Sequence, residues 1–142
     1  MKTRHWLFLV AIAALVAWTV TGCSLLGVSI DSRISMFFSD LNSNRANANE
    51  NLDPSSPIHN SVGATADFWN IHFPQADGQL TDTITSSTPY NAAGVILDIT
   101  SSLGGTLGTY EFVFVDRGTS PLDNYYISDI LLLTNSTYVS IF

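Results

Sequence analysis

Apolar positions change their period twice along this chain. From Trp6 to Val20 they run unbroken for fifteen residues with no charge among them. From Asp31 to Ser43 they recur at helical spacing. Ile34, Phe37, Phe38 and Leu41 follow the i, i+3, i+4, i+7 pattern of one apolar face, which predicts an amphipathic helix. Ser29, Asp31 or Ser32 can cap its start through a short oxygen side chain, and Asn42 and Asn44 suit its end. Asn44 to Asn60 is polar, with five asparagines and Leu52 and Ile58 as its large apolar anchors. A short helix is expected near Asn47–Leu52, ended by Pro54, with Pro57 in the loop after it. Ser61 to Phe73 returns to helical spacing. Ala64, Phe68, Ile71 and His72 fall on one side, Trp69 and Phe73 widen the arc, Asp67 and Asn70 lie opposite, and Pro74 stops the helix.

Beyond Gln75 the period becomes two. Thr81–Ser87, Ala93–Thr100, Thr106–Val115, Tyr125–Leu133 and Thr137–Phe142 are rich in β-branched and aromatic residues. Tyr110, Phe112 and Phe114 alternate with Glu111, Val113 and Val115, which predicts a strand with two unequal faces. Short turn-forming connections, among them Leu103-Gly104-Gly105 and Asn135-Ser136, argue for antiparallel neighbours. Helices first and strands afterwards predict an α+β domain, with N-terminal helices packed on a curved antiparallel sheet of four to five strands. No internal repeat is present.

Composition changes the reading of the first segment. Lys2 and Arg4 precede the apolar run, and small residues follow it. A basic head, an apolar stretch and small residues are the three parts of a secretory leader. Fifteen helical residues span only about 22 Å, short of the ~30 Å hydrocarbon core, so a permanent membrane span is the weaker interpretation. Removal of residues 1–22 leaves 120 residues with three arginines, twelve carboxylates, no lysine and a formal charge of −9. Such a polyanion is a poor ligand for nucleic acid, where cations must neutralise phosphates. It is equally poor as a polybasic membrane patch.

The string Val20-Thr21-Gly22-Cys23, which closes the apolar run and contains the chain's one cysteine, resembles the bacterial lipobox. That resemblance implies cleavage between Gly22 and Cys23, a diacylglyceryl thioether on the Cys23 sulfur, and usually an acylated α-amine. Two or three acyl chains make attachment effectively permanent, since each buried methylene contributes roughly 0.8 kcal/mol. Ser24 in place of an Asp leans towards the outer membrane if the cell is Gram-negative. The expected organisation is a leader over 1–22, a lipidated Cys23 with a short tether over 23–30, and one domain over 31–142. A seven-residue tether reaches at most about 25 Å. With Cys23 acylated, no cysteine is left for a disulfide, so the core alone must hold the domain in an oxidising compartment.

The order of elements, the Phe-rich first helix, the Phe68-Trp69 helix and the long hairpin from Thr106 to Leu133 resemble the nuclear-transport-factor-two-like superfamily. That superfamily places N-terminal helices inside a curved sheet. A lipocalin-like or another small α+β arrangement is the alternative. Some enzymes of the cone-shaped class use an Asp or His in the pocket as a base, which makes Asp67 and His72 the candidate catalytic residues. Five residues apart on one helix, they point about 140° from each other, so that helix alone cannot pair them. The plainer interpretation leaves His72 bordering the core and Asp67 solvated.

His59 reads as a surface residue of a polar loop, and no ligand spacing for a metal or a calcium loop is present. No cofactor motif is found. Gly104-Gly105-Thr106-Leu107-Gly108 runs from strand to strand, so it is a hairpin turn and not a phosphate loop. Trp69, Tyr110 and Tyr125 lead the aromatic residues that can line a site for a small apolar ligand. Asp98, Glu111 and Asp129 lie inside strand runs and either face solvent or point into a pocket. The leading expectation is a lipid-anchored envelope domain, not an enzyme, that binds a protein partner or a small ligand. Its alternatives are a small cone-fold isomerase, cyclase or dehydratase using Asp67 or His72, and a purely structural lipoprotein.

Overall fold

The computed structural model describes residues 27–55, 59, 66–74, 79–85, 88–103, 105–119 and 121–142. The expected leader over residues 1–22, Cys23 and residues 61–65 of the expected second helix lie outside the described residues. No helix among the described residues is long and apolar enough to cross a membrane.

Helix α1 spans Ile30–Ser43. Ser29 takes the capping role, its Oγ accepting from the Ser32 amide at 3.2 Å. The four residues of the apolar stripe, Ile34, Phe37, Phe38 and Leu41, are all buried, and Arg33 is buried beside them. A 3₁₀ helix over Arg45–Asn51 follows at once, two residues earlier than the sequence predicts. Asparagine favours such tight turns, because its amide competes locally with i→i+4 bonding. Asn51 Nδ2 donates to Asp40 Oδ2 at 2.7 Å and ties this turn back to α1.

Helix α2 covers Ala66–His72. Its inward face differs from the expected arc. Trp69 and Phe73 are fully buried, whereas Ile71 is 75% exposed. Turning the two large rings inward removes more apolar area from water than burying Ile71 would, so the helix rotates to suit them.

Five strands follow: β1 Leu80–Ile84, β2 Gly94–Ser101, β3 Thr106–Asp116, β4 Tyr125–Thr134 and β5 Thr137–Ser140. They form one antiparallel sheet in chain order, β1-β2-β3-β4-β5. The protein is thus α+β. Bulges interrupt the register at Ile99/Thr100 and at Val113/Phe114. Gly108, opposite Ile99, has φ +152°, and a Cβ there would press on Leu132. Glycine is therefore the residue the first bulge requires.

One face of the sheet shares a core with the helices. Leu97, Ile99, Tyr110, Phe112, Phe114, Ile127 and Ile130 join Ile34, Phe37, Trp69 and Phe73 in a single cluster. Phe37 is its hub. Its ring meets Phe38, Trp69, Phe73 and Phe112 edge-on, at centroid separations of 5.5, 5.3, 5.9 and 5.5 Å. Edge-to-face pairs contribute about 0.5–1.5 kcal/mol each beyond area burial. Three connected helices and the inner sheet face therefore close the interior with rings.

The outer face is also partly covered, which the alternation in β3 does not predict. Glu111 is fully buried. Its carboxylate accepts from the Tyr90 amide at 3.1 Å and from the Asn91 amide at 2.6 Å. A Cβ on Gly94 would collide with that carboxylate, so glycine there lets the β1–β2 connection lie close over the sheet. Tyr90 then stacks on Tyr138 of β5 at 6.3 Å. Asp98 accepts from the Thr109 hydroxyl at 2.6 Å, and Asp129 from the Ser140 hydroxyl at 2.7 Å. Glu111 is thus enclosed beneath the cover, in contrast to the solvent or pocket expected for it, whereas Asp98 and Asp129 are half-buried and keep some contact with solvent.

The edge of β4 is covered in sections. Val28 bridges Asn124, Leu52 bridges Ile127, and β5 pairs with Leu131 to Thr134. An open edge invites intermolecular pairing, and three unconnected segments close this one.

Candidate functional site

The two ends of the sheet have different character. At one end β3 finishes and β4 begins, and here the chain enters the domain. The Tyr125 amide donates to the Val28 carbonyl at 2.9 Å. Gly27 lies so close to Asp123 that a Cβ would strike its carbonyl. Arg33 locks this junction. Its Nε donates to the Tyr125 carbonyl at 2.6 Å, Nη2 to Asn124 Oδ1 at 3.2 Å, and Nη1 to Asn51 Oδ1 at 3.4 Å. Its guanidinium sits 4.2 Å from the centroid of the Tyr126 ring. Burial lowers the Arg33 pKa from its ordinary value, while Tyr126 opposes that shift. Val28, within the stretch expected to be tether, bridges Asn124 beside the sheet, and Ile30 starts α1.

Charge collects at this end. Asp31, Asp116 and Asp123 are exposed here. The Asp116 carboxylate accepts from the Asn124 amide at 2.7 Å and the Gly118 amide at 2.8 Å, bonds that hold its carboxyl below the usual range. Asp53 is almost fully buried and receives Arg117 Nη2 at 2.7 Å and Nε at 3.1 Å.

The other end carries the turns β2–β3 and β4–β5 and a cleft of about 280 Å³. His72 and Pro74 of α2 and its exit, Ser101 of β2, and Thr106, Leu107 and Tyr110 of β3 line it. The turn under it is fixed. The Ser102 and Gln79 backbones are joined at 2.7 Å, the Ser101 amide donates to the Gly105 carbonyl at 2.6 Å, and Ser101 Oγ accepts from the Leu103 amide at 3.2 Å. Asn42 at the end of α1 bonds both backbone groups of Leu80, at 2.8 and 2.9 Å, and so pins the first strand to the helix.

Both ring groups of the cleft are neutral near pH 7. Burial pushes the His72 imidazole below its ordinary value and the Tyr110 phenol above its own. Tyr110 is 3% exposed and packs on Phe73 at 5.2 Å. His72 rests on Phe68 at 4.4 Å, and Phe68 stacks on Phe142 at 5.4 Å.

The candidate residues separate accordingly. His72 and Tyr110 come together in the cleft, while Asp67 is exposed and does not line it. Trp69 is buried among the core rings, and Tyr125 packs against the core at the opposite end. His59 is half-buried, its Nδ1 enclosed, in contrast to the surface position expected of it. Among the described residues no three His, Cys, Asp or Glu side chains are grouped to hold a metal. Periodicity does not reveal Arg33, Glu111 or the Arg117–Asp53 pair. The one available signal is that a chain with five lysines and arginines in all has few cations to spare. No protein-family model, curated protein or solved structure matches this chain.

Proposed function

We propose that this chain is a lipid-anchored binding domain of the cell envelope, outer-membrane in a Gram-negative cell, that presents the His72–Tyr110 cleft away from the bilayer. The observation that carries this reading is the opposition of the two ends. Cys23 precedes Gly27 by four residues, a reach of at most about 14 Å. The ten steps of β3 from Thr106 to Asp116 extend roughly 34 Å. An anchor at position 23 therefore holds the β3–β4 end near the lipid and leaves the cleft facing water. The exposed Asp31, Asp116 and Asp123 do not adhere to an anionic leaflet, so the acyl group alone supplies the attachment.

A filled aromatic core supports binding at this surface cleft over catalysis in a deep cone. His72 has no carboxylate beside it among the described lining residues, which leaves a general-base role without an orienting partner. In the finer architectural reading, α1 and α2 pack on the concave side of a curved sheet, as in nuclear-transport-factor-two-like domains. The shared cluster of Phe37, Trp69 and Phe112 supports it.

The test is metabolic palmitate labelling with membrane fractionation. The wild-type chain is expected to label and sediment with membranes, and Cys23→Ser to lose both. Labelling retained in Cys23→Ser overturns the anchor.

A further inference from the structure

We propose that the cleft binds a neutral saccharide ring, a small uncharged molecule with hydroxyl or amide groups around an apolar face. This rests on reading the domain as a binding module, not on its anchor.

The lining residues that the structure describes carry no formal charge at neutral pH, since His72 is neutral and the rest are hydroxyl or apolar residues. Among the described lining residues a charged ligand finds no counter-charge for the hydration it would lose. No arginine is among those lining residues either. Arg33 donates to Tyr125 and Asn124, Arg45 Nη1 to the Trp69 carbonyl at 2.9 Å, and Arg117 to Asp53.

The polar groups that remain suit hydroxyls. A neutral imidazole is both donor and acceptor, as are the Tyr110 and Thr106 hydroxyls. The Tyr110 ring is 97% out of solvent, and its hydroxyl is not among the enclosed unpartnered atoms, so water or a ligand hydroxyl can reach it at the cleft that Tyr110 lines. A ligand hydroxyl placed there exchanges with water and keeps the bond. Pro74 and Leu107 offer apolar wall for the C–H face of a ring. The volume of about 280 Å³ lies just below the usual range of drug-sized ligand sites, which starts near ~300 Å³, and suits one ring, not a chain of them.

The test uses the full chain in detergent micelles with N-acetylglucosamine, glucosamine and glucuronate, which share a ring and differ in charge. Saturation-transfer NMR is expected to show contact with N-acetylglucosamine and little with either charged ring. Tyr110→Phe, which keeps the ring on Phe73, and Thr106→Ala, on the exposed rim, are each expected to weaken binding by about fivefold to tenfold, the worth of one hydrogen bond. The inference is overturned if N-acetylglucosamine makes no contact, if glucuronate binds as well, or if neither substitution changes the affinity. Cys23→Ser is expected to leave sugar contact intact, so failure of the anchor and failure of this site are read separately.

Discussion

Arg33 Nε lies 2.6 Å from the carbonyl oxygen of Tyr125, which is 92 residues further along the chain. This bond joins the first turn of the first helix to the first residue of β4. It converts the entry of the chain into part of the sheet edge, because the Tyr125 amide in turn donates to Val28. A cation buried to 4% exposure needs the carbonyl and amide oxygens around it to replace the hydration it has lost.

Arg33→Met should therefore destabilise the domain by about 2–4 kcal/mol, from lost charge-assisted bonds and the contact with Tyr126. Arg33→Lys keeps the charge but not the planar fork, and should recover only part of this. Chemical unfolding measures both. Amide exchange at Tyr125 should rise well before the core residues, since its acceptor sits on the segment that Arg33 fastens.

Acid should loosen the same end by a second route. Hydrogen bonds from Arg117, opposed by burial, hold the Asp53 carboxyl below its ordinary range. A carboxylate with a depressed folded pKa contributes stability that is complete above its unfolded value near ~3.9, and loses it as pH falls through the lower folded value. Asp53→Asn should cost about 1–2 kcal/mol at neutral pH and flatten the unfolding curve below pH ~4. Because the Arg117 side chain is 45% exposed, salt should reduce the difference between wild type and variant. A curve that keeps its acid limb in Asp53→Asn would assign that limb to other carboxylates.

The β4–β5 turn offers a stabilising change. Asn135 and Ser136 have φ of 48° and 63°, the left-handed pair of a two-residue hairpin. Asparagine tolerates this region and serine does so less well, whereas Asn-Gly is the preferred pair. Ser136→Gly should raise stability by about 0.5 kcal/mol, the relief of strain outweighing the added freedom of the unfolded chain. Asn135→Val should lower it by about 1–2 kcal/mol. Thermal unfolding of the two variants gives the signs directly.

Particular residues show how much of the fold was legible beforehand. The stripe of α1 and the five strand runs follow from periodicity alone, since one buried face leaves a local record in the order of residues. The rotation of α2 does not. Ile71, Trp69 and Phe73 are all apolar, and the choice among them depends on which rings Phe37 and Phe112 leave room for. Glu111 shows the same limit on the sheet. Its position in a strand is plain, but the Tyr90-Asn91 amides that hold it come from a connection twenty residues away. In the candidate site, the sequence marks His72 and Tyr110 separately, and only the fold brings them together beside Ser101 and Thr106.

Chain order by itself determined the acidic balance, the helix-then-strand plan and the places where turns fall, because each is written in neighbouring side chains. Tertiary structure decided which face of α2 turns inward, what covers the outer side of the sheet, how Arg33 fastens the chain entry, and that a cleft opens at the far end from it. Those outcomes depend on surfaces brought together from distant segments, and the free energy of burying one surface is defined only once its partner is in place.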